Sequence, residues 1–417
     1  MQVVVKVLQV IDLGYEAGGA EKIARIIRDR LQQLGHEVFV LSTDMNSAGR
    51  QMFADATVPA VSGSALVRLG RYFWNYGAYR TMRDIVRDFN PDVVHFHTIC
   101  EFSPSILWGA GRRPAILTVH GPEEFTLKLL PWVLPRSDYR HGSYRLDDLR
   151  LVGRLRYLYL RYLQRPAYLL ALRRLAMVAA PSQFVARVIA GDFRRTPVRV
   201  LYPGTIEAVH PSAPQTQRPT VLFVGRLEAV KGVEYLLKAF AHVSQRHPEA
   251  RLRVVGEGSQ REALEALARD LDLGEVAEFT GWVTSAHLGR EYAGATVVAI
   301  PSVAPEALAL VGVEALASGR PVIGSKVGGI PELIQCGVTG AVAEPGDDVG
   351  LAAAIESFLF DAAKLEKAAR VAAVRARDFL VDSFVDSQLR LYREIVPAAS
   401  RSASAMPEPS GLDRRPN

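Results

Sequence analysis

Two carboxylates, Glu306 and Glu314, stand with seven residues between them in the segment PSVAPEALALVGVEALASGRPVIGSKVGGIPELI (301–334). The segment leaves an apolar stretch, TVVAI (296–300), and enters a helical pattern. Parallel sheets hold their ligands at such strand–loop–helix junctions, beyond the carboxyl ends of the strands. Eight residues of helix rise about 12 Å, whereas two carboxylates that share one glycosidic bond lie roughly 5–9.5 Å apart. A fully helical path therefore excludes a hydrolase pair, although an irregular first stretch would shorten the span. The spacing suits the two ends of one long polar ligand, such as the sugar and the ribose of a nucleotide sugar.

Other chemistry-bearing residues fall at strand ends. Arg226 closes TVLFVGRL (220–227), and Lys231 follows just before Gly232. Two cations at the mouth of a sheet can neutralise the charge that grows on a departing diphosphate, or can be ordinary surface cations. His120 ends PAILTVH (114–120), where an imidazole can exchange a proton near neutral pH or hydrogen-bond a hydroxyl. Gly18-Gly19-Ala20-Glu21 lies between the first strand and its helix. It is either a tight turn or a phosphate seat at a helix N-terminus. It is neither a GxGxxG fingerprint nor a Walker A loop, which argues against a dinucleotide dehydrogenase. His95 and His97 share one strand with no carboxylate cluster beside them, and Asp270-Leu-Asp272 reads as a solvated helix end. No metal and no other cofactor is expected.

Short apolar strands alternate with amphipathic helices and position these residues. VVVKVLQV (3–10) precedes a helix with Ile23, Ile26, Ile27, Leu31 and Leu34 at helical spacing, and strands follow at 37–43, 91–97, 114–120, 176–182 and 198–204. The pattern restarts with strands at 220–227, 250–258, 275–281, 296–302 and 321–325. Such alternation implies βαβ units and parallel sheets. The expected architecture is α/β, with two Rossmann-like doubly wound domains facing across a cleft. Residues 1–202 form the first domain, 203–219 a linker and 220–378 the second domain. A helix at 379–397 returns to the first domain, and 398–417 is a polar, Pro-containing tail.

The 417 residues carry a net charge of +6, unevenly placed. Residues 1–200 hold 28 Lys+Arg against 17 Asp+Glu, and the remainder 22 against 27. Ten Arg and no Lys fall between Arg136 and Arg174, interleaved with Tyr and Leu. The stretch 145–174 is expected either to dock on an acidic membrane surface or to be a partly buried helix pair with a solvated Arg face. No nucleic-acid-binding module is present, so nucleic acid is not an expected partner. No apolar run approaches a membrane span, the N-terminus reads as a buried strand, and Cys100 and Cys336 form no disulfide framework. The expected location is cytoplasmic, peripheral to the plasma membrane.

Taken in order, GGAE, LGHEV, DVVHFH, TVH, VGRLEAVKG, VVGEG, FTGWV and the Glu-x7-Glu segment resemble the retaining glycosyltransferases of family 4, which have the GT-B fold. The resemblance spans about residues 8–360. It implies that a UDP-, GDP- or ADP-sugar binds mainly to the second domain and that a glycan or lipid-linked acceptor binds to the first. By similarity, Arg226 and Lys231 grip the diphosphate, Glu314 the ribose, and Glu306 the transferred sugar. Backbone groups at Ala309, Leu310 and Val311 serve sugar and phosphate, His120 faces the reacting sugar, and Gly18 and Gly19 line the cleft. The family usually shows Glu-Gly-Phe-Gly-Leu where this chain has Glu306-Ala307-Leu308-Ala309-Leu310. Any left-handed conformation there would now be costly. The family's Asn-Gly-Val/Ile-Asp is replaced by Tyr202-Pro203-Gly204-Thr205.

Overall fold

Seven parallel strands build the first sheet in the computed structural model, which describes residues 4–121, 126, 150–209 and 218–396. They are β1 (Lys6–Leu13), β2 (Glu37–Thr43), β3 (Ala56–Val58), β4 (Val93–Phe96), β5 (Ala115–Thr118), β6 (Met177–Ala180) and β7 (Val198–Val200), in the order β3-β2-β1-β4-β5-β6-β7. The second sheet holds β8 (Thr220–Val224), β9 (Arg251–Val255), β10 (Ala277–Gly281), β11 (Val297–Ile300), β12 (Val322–Ser325) and β13 (Gly340–Ala343). Its order is β10-β9-β8-β11-β12-β13, again parallel throughout.

Helices cover these sheets, so the central strands are buried and read as continuous apolar runs. Val93, Val94 and Phe96 of β4 are fully buried, as are Val297 and Val298 of β11. The helix Gly19–Gln33 buries Ile23, Ala24, Ile27 and Leu31 against β1, a stripe at the 3.6-residue period. β3 and β13 were not legible in the sequence. ATV and GAVA are too short to show a period, and β3 gains strand geometry only by pairing Leu41 with Ala56.

Strand order reverses between β1 and β4 in one sheet and between β8 and β11 in the other. These switch points open two crevices at the carboxyl ends of the strands. The chain crosses between the domains twice, at 203–206 and 379–381. There Thr205 N–H donates to Phe379 O (3.1 Å) and Val381 N–H to Ile206 O (3.0 Å). The helix Val381–Ile395 then returns to the first domain, packing Phe384, Val385, Leu389 and Tyr392 with Val7, Ile11 and Ile27. Residues 145–149 of the basic stretch, 210–217 of the expected linker and the tail at 398–417 lie outside the described residues.

Candidate active site

The loops after β8 and β11 are stitched together, and this creates the central charge pair. Val303 N–H donates to Val230 O at 3.0 Å. That contact sets Lys231 Nζ 2.9 Å from Glu306 Oε1, with both side chains largely shielded from solvent. Ser302 Oγ donates to the same carboxylate oxygen. Gly328, after β12, buttresses the loop from behind. Its φ of +64° is left-handed, and Gly329 N–H donates to Glu306 O at 2.8 Å. A Cβ on Gly328 would lie 2.4 Å from both N and O of Glu306, so only glycine permits this approach. Arg226 is exposed beyond β8 and forms no ion pair among the described residues.

The path from Glu306 to Glu314 is not helical throughout. The helix begins at Leu310 and ends at Ala317, and Ala309 before it has φ −78° and ψ 97°. The full-helix rise therefore does not apply to this pair. Neither Ala307 nor Ala309 has positive φ, so the two alanines sit in ordinary backbone without strain. Leu310 and Val311 form the first turn of this helix, where backbone N–H groups lack intrahelical partners. Those donors and the positive end of the helix dipole suit an anionic or hydroxyl-rich ligand.

Glu314 is gripped from two sides. Tyr292 Oη donates to Oε2 at 2.7 Å, and Lys22 Nζ of the first domain lies 3.3 Å from Oε1. Burial, with the Glu314 carboxylate beside it, pushes the Tyr292 phenol well up, so it remains a donor. Behind it, the fully buried Arg320 donates from Nε to Tyr292 O (2.9 Å), pinning the end of the helix Ser285–Gly294. Burial lowers Arg320 to about 10, which still leaves it charged at neutral pH.

The domains touch at these loops. Gly19, the first residue of its helix, packs against the Leu310 side chain, and Ala307 packs on the core of the first domain. Gly18 precedes that helix in extended conformation, and a Cβ there would meet the Glu21 carboxylate. Burial raises the pKa of Glu21. Nearer the crossing, Glu332 accepts from Gln183 N–H (2.8 Å), Phe184 N–H (2.6 Å) and Tyr202 Oη (3.0 Å). Tyr202 of the divergent loop thus serves a domain contact.

His120 follows β5 and is half-buried. Its Nε2 lies 2.9 Å from Nδ1 of His97, and the two rings stack at 5.2 Å. His95, in turn, bonds Tyr392 Oη and Thr118 Oγ1, each at 2.7 Å. Burial lowers His120 to about 4 and His95 to about 3, and burial with the neighbouring imidazoles holds His97 well below its usual range. All three are neutral at pH 7, so His120 is suited to hydrogen bonding and not to carrying charge.

Of the residues singled out in the sequence, the structure joins Glu306 to Lys231 and Gly19 to Leu310. Glu314 is joined to Lys22, Tyr292 and, through Tyr292, Arg320, none of which sequence reasoning selected. Lys22 directly follows GGAE, and its place in the first turn of a helix was its one visible signal. Tyr292 and Arg320 carried none, because their partners are backbone or side-chain atoms brought near only by packing.

Two parallel α/β domains that meet through their carboxyl-end loops, with acidic and basic side chains paired there, define the GT-B class of architecture. Within it, the model for glycosyl transferases group 1 matches residues 206–375 and that for glycosyltransferase family 4 matches residues 17–207. The chain belongs to the group 1 glycosyltransferases, with a family 4-type first domain. An uncharacterized glycosyltransferase, MJ1607, of Methanocaldococcus jannaschii is 38% identical over 147 residues, 35% of this chain and 37% of that protein. The D-inositol 3-phosphate glycosyltransferase of Corynebacterium kroppenstedtii is 37% identical over 148 residues, 34% of this chain and 33% of that protein. The matched stretch is thus only about a third of either relative. Among solved structures, sucrose-phosphate synthase of Thermosynechococcus elongatus superposes with a TM-score of 0.70 at 20% identity, covering 94% of this chain and 98% of that one. Anabaena Alr3699/HepE, in complex with UDP and glucose, gives 0.67 at 19% identity, over 94% and 100%. At these identities the likeness speaks for the fold.

Proposed function

We propose that this protein is a retaining glycosyltransferase that moves a sugar from a nucleotide-diphospho-sugar to a hydroxyl of a glycan or lipid-linked acceptor, without a metal. The observation that carries the reading is the pair of carboxylate stations beyond the carboxyl end of β11. Glu306 is set by Lys231 and Ser302, and Glu314 by Tyr292 and Lys22, with the open helix N-terminus at Leu310 between them. Glu306 takes hydroxyls of the transferred sugar and Glu314 those of the ribose. Lys231 and the exposed Arg226 face the diphosphate, where fixed cations stabilise the leaving group more in the transition state than in the ground state. In the transfer, the bond from the anomeric carbon to phosphate oxygen breaks and the bond to the acceptor oxygen forms on the same face. The acceptor proton passes to the departing phosphate oxygen. UDP and UDP-glucose occupy the HepE structures, which supports a nucleotide sugar as the donor class.

The acceptor side is the basic first domain. On the helix Leu151–Tyr159 and the turn that follows, Leu151, Leu155, Leu158, Tyr162 and Leu163 are 47–72% exposed beside Arg154, Arg156 and Arg161. Apolar side chains standing out among arginines fit an acidic membrane surface, where a lipid-linked acceptor of cell-surface glycoconjugate synthesis would reside. No helix among the described residues is long and apolar enough to cross a membrane.

Nucleotide release from a panel of UDP-, GDP- and ADP-sugars tests the catalytic reading, with products identified by mass spectrometry. Glu306→Ala should reduce turnover by about 100-fold or more. Tight donor binding without turnover for any acceptor would instead make the protein a silent sugar-nucleotide-binding partner. The ordinary backbone at Ala307 and Ala309 removes the main motive for that alternative.

A further inference from the structure

We infer that His97 is a positioning residue that locks His120 into its Nδ1–H tautomer, so that His120 offers the bound sugar a hydrogen-bond donor and not a base. The inference rests on reading the cleft as a donor-sugar site. His97 is fully buried directly after β4, and its Nδ1 faces His120 Nε2 at 2.9 Å. Its other nitrogen, Nε2, is buried with no hydrogen-bond partner among the described residues. A neutral imidazole carries one proton. If that proton sat on Nε2 of His97, a buried N–H would be left without an acceptor, which native interiors rarely tolerate; an unused acceptor is tolerated more often. The proton therefore sits on Nδ1 of His97 and is donated to Nε2 of His120. With Nε2 accepting, the proton of His120 must be on Nδ1, the one nitrogen left for a ligand.

The surroundings reinforce this assignment. Both rings are held neutral by burial, so neither pairs as an imidazolium. His95 cannot supply the missing acceptor, because both of its nitrogens are engaged by Tyr392 and Thr118. The strand register sets His97 beyond the last β4 pair, with its backbone N–H bonded to Val10 O at 2.9 Å, which fixes the main chain from which the ring projects. With its only free nitrogen protonated, His120 can donate to a sugar hydroxyl or a phosphate oxygen but cannot take a proton from the acceptor.

The test is a long-range proton–nitrogen correlation spectrum of the full chain labelled with 15N-histidine, at pH 7. The His120 signals are assigned by their loss in His120→Gln. The expected pattern is a protonated Nδ1 and a bare Nε2 on His120; the reverse pattern would overturn the inference. This measurement needs no turnover, so its outcome is separate from that of the donor panel. In the variants, His97→Leu should release His120 into a tautomer mixture and lower kcat by about tenfold, with donor KM changed by less than about threefold. His97→Asn, whose amide can donate from nearly the same position, should recover most of the loss and restore the Nδ1–H pattern. A His97→Leu enzyme with unchanged kcat and an unchanged His120 pattern would also overturn it.

Discussion

Replacing Gly328 with alanine should damage the site through two separable effects. The first is conformational: φ at Gly328 is +64°, and an L-residue there costs about 1–2 kcal/mol. The second is steric. The new Cβ would lie 2.4 Å from N and O of Glu306, where ordinary contact begins at 3.4 Å. The Glu306 loop must therefore retreat by about 1 Å, adding roughly 1–3 kcal/mol of overpacking strain. Retreat also loosens the 2.9 Å approach of Lys231 to Glu306. Gly337→Ala is the matched control, since Gly337 has φ +74° and, among the described residues, no atom within 4 Å of its Cβ position. Calorimetry should place the Gly328→Ala melting temperature below that of Gly337→Ala by about 2 °C or more, at roughly 2–4 °C per kcal/mol. Nucleotide release should fall about 100-fold in Gly328→Ala, the cost of misplacing a reacting group by about 1 Å, and stay near wild type in Gly337→Ala. Equal melting temperatures and equal rates for the two variants would refute the claim that Gly328 buttresses Glu306.

Acid should destabilise the fold through its buried histidines. Their folded pKa values lie below the ordinary 6.5, near 4 for His120 and near 3 for His95. The unfolded chain therefore binds more protons between those limits, and stability falls as pH drops from 6.5 toward 4, by up to about 1.4 kcal/mol per histidine per pH unit. Glu21 and Glu101, raised by burial, act in the opposite direction. Urea midpoints at pH 6.5 and 5 should show the drop, and it should shrink in His95→Asn; a midpoint indifferent to pH would count against the buried neutral cluster. Vesicle sedimentation should show binding to acidic lipid that weakens with salt and with Leu155→Glu, while binding indifferent to lipid charge and salt would sink the membrane surface.

The parts of the site that were legible are those whose signal is local. Glu306, Glu314 and Lys231 could be picked out because strand–loop–helix punctuation is written in consecutive residues, and the loop after a parallel strand has only one place to go. The helix at 310–317 shows the limit of that reading. Helical spacing could not reveal that residues 306–309 stay irregular, because the contact that holds them comes from Gly328 in the turn after a different strand. His97 was dismissed together with His95 as a strand histidine, and nothing in DVVHFH distinguishes a core histidine from one that touches His120.

Apolar periodicity and its punctuation alone determined that this chain forms two parallel α/β units with their functional loops at the strand ends. Burying those runs leaves few other arrangements, and the ordered motifs were enough to suggest the family. Only the tertiary structure decided which groups meet across the cleft. Lys22 reaches Glu314 over 292 positions of chain, and Glu332 reaches Gln183 over 149. Such pairings depend on how two finished domains dock, and docking is set by loop shape and side-chain packing that no sequence period records. The same is true of protonation: His120 carries no mark of its neutrality in TVH, and acquires it from the burial that the fold imposes on it.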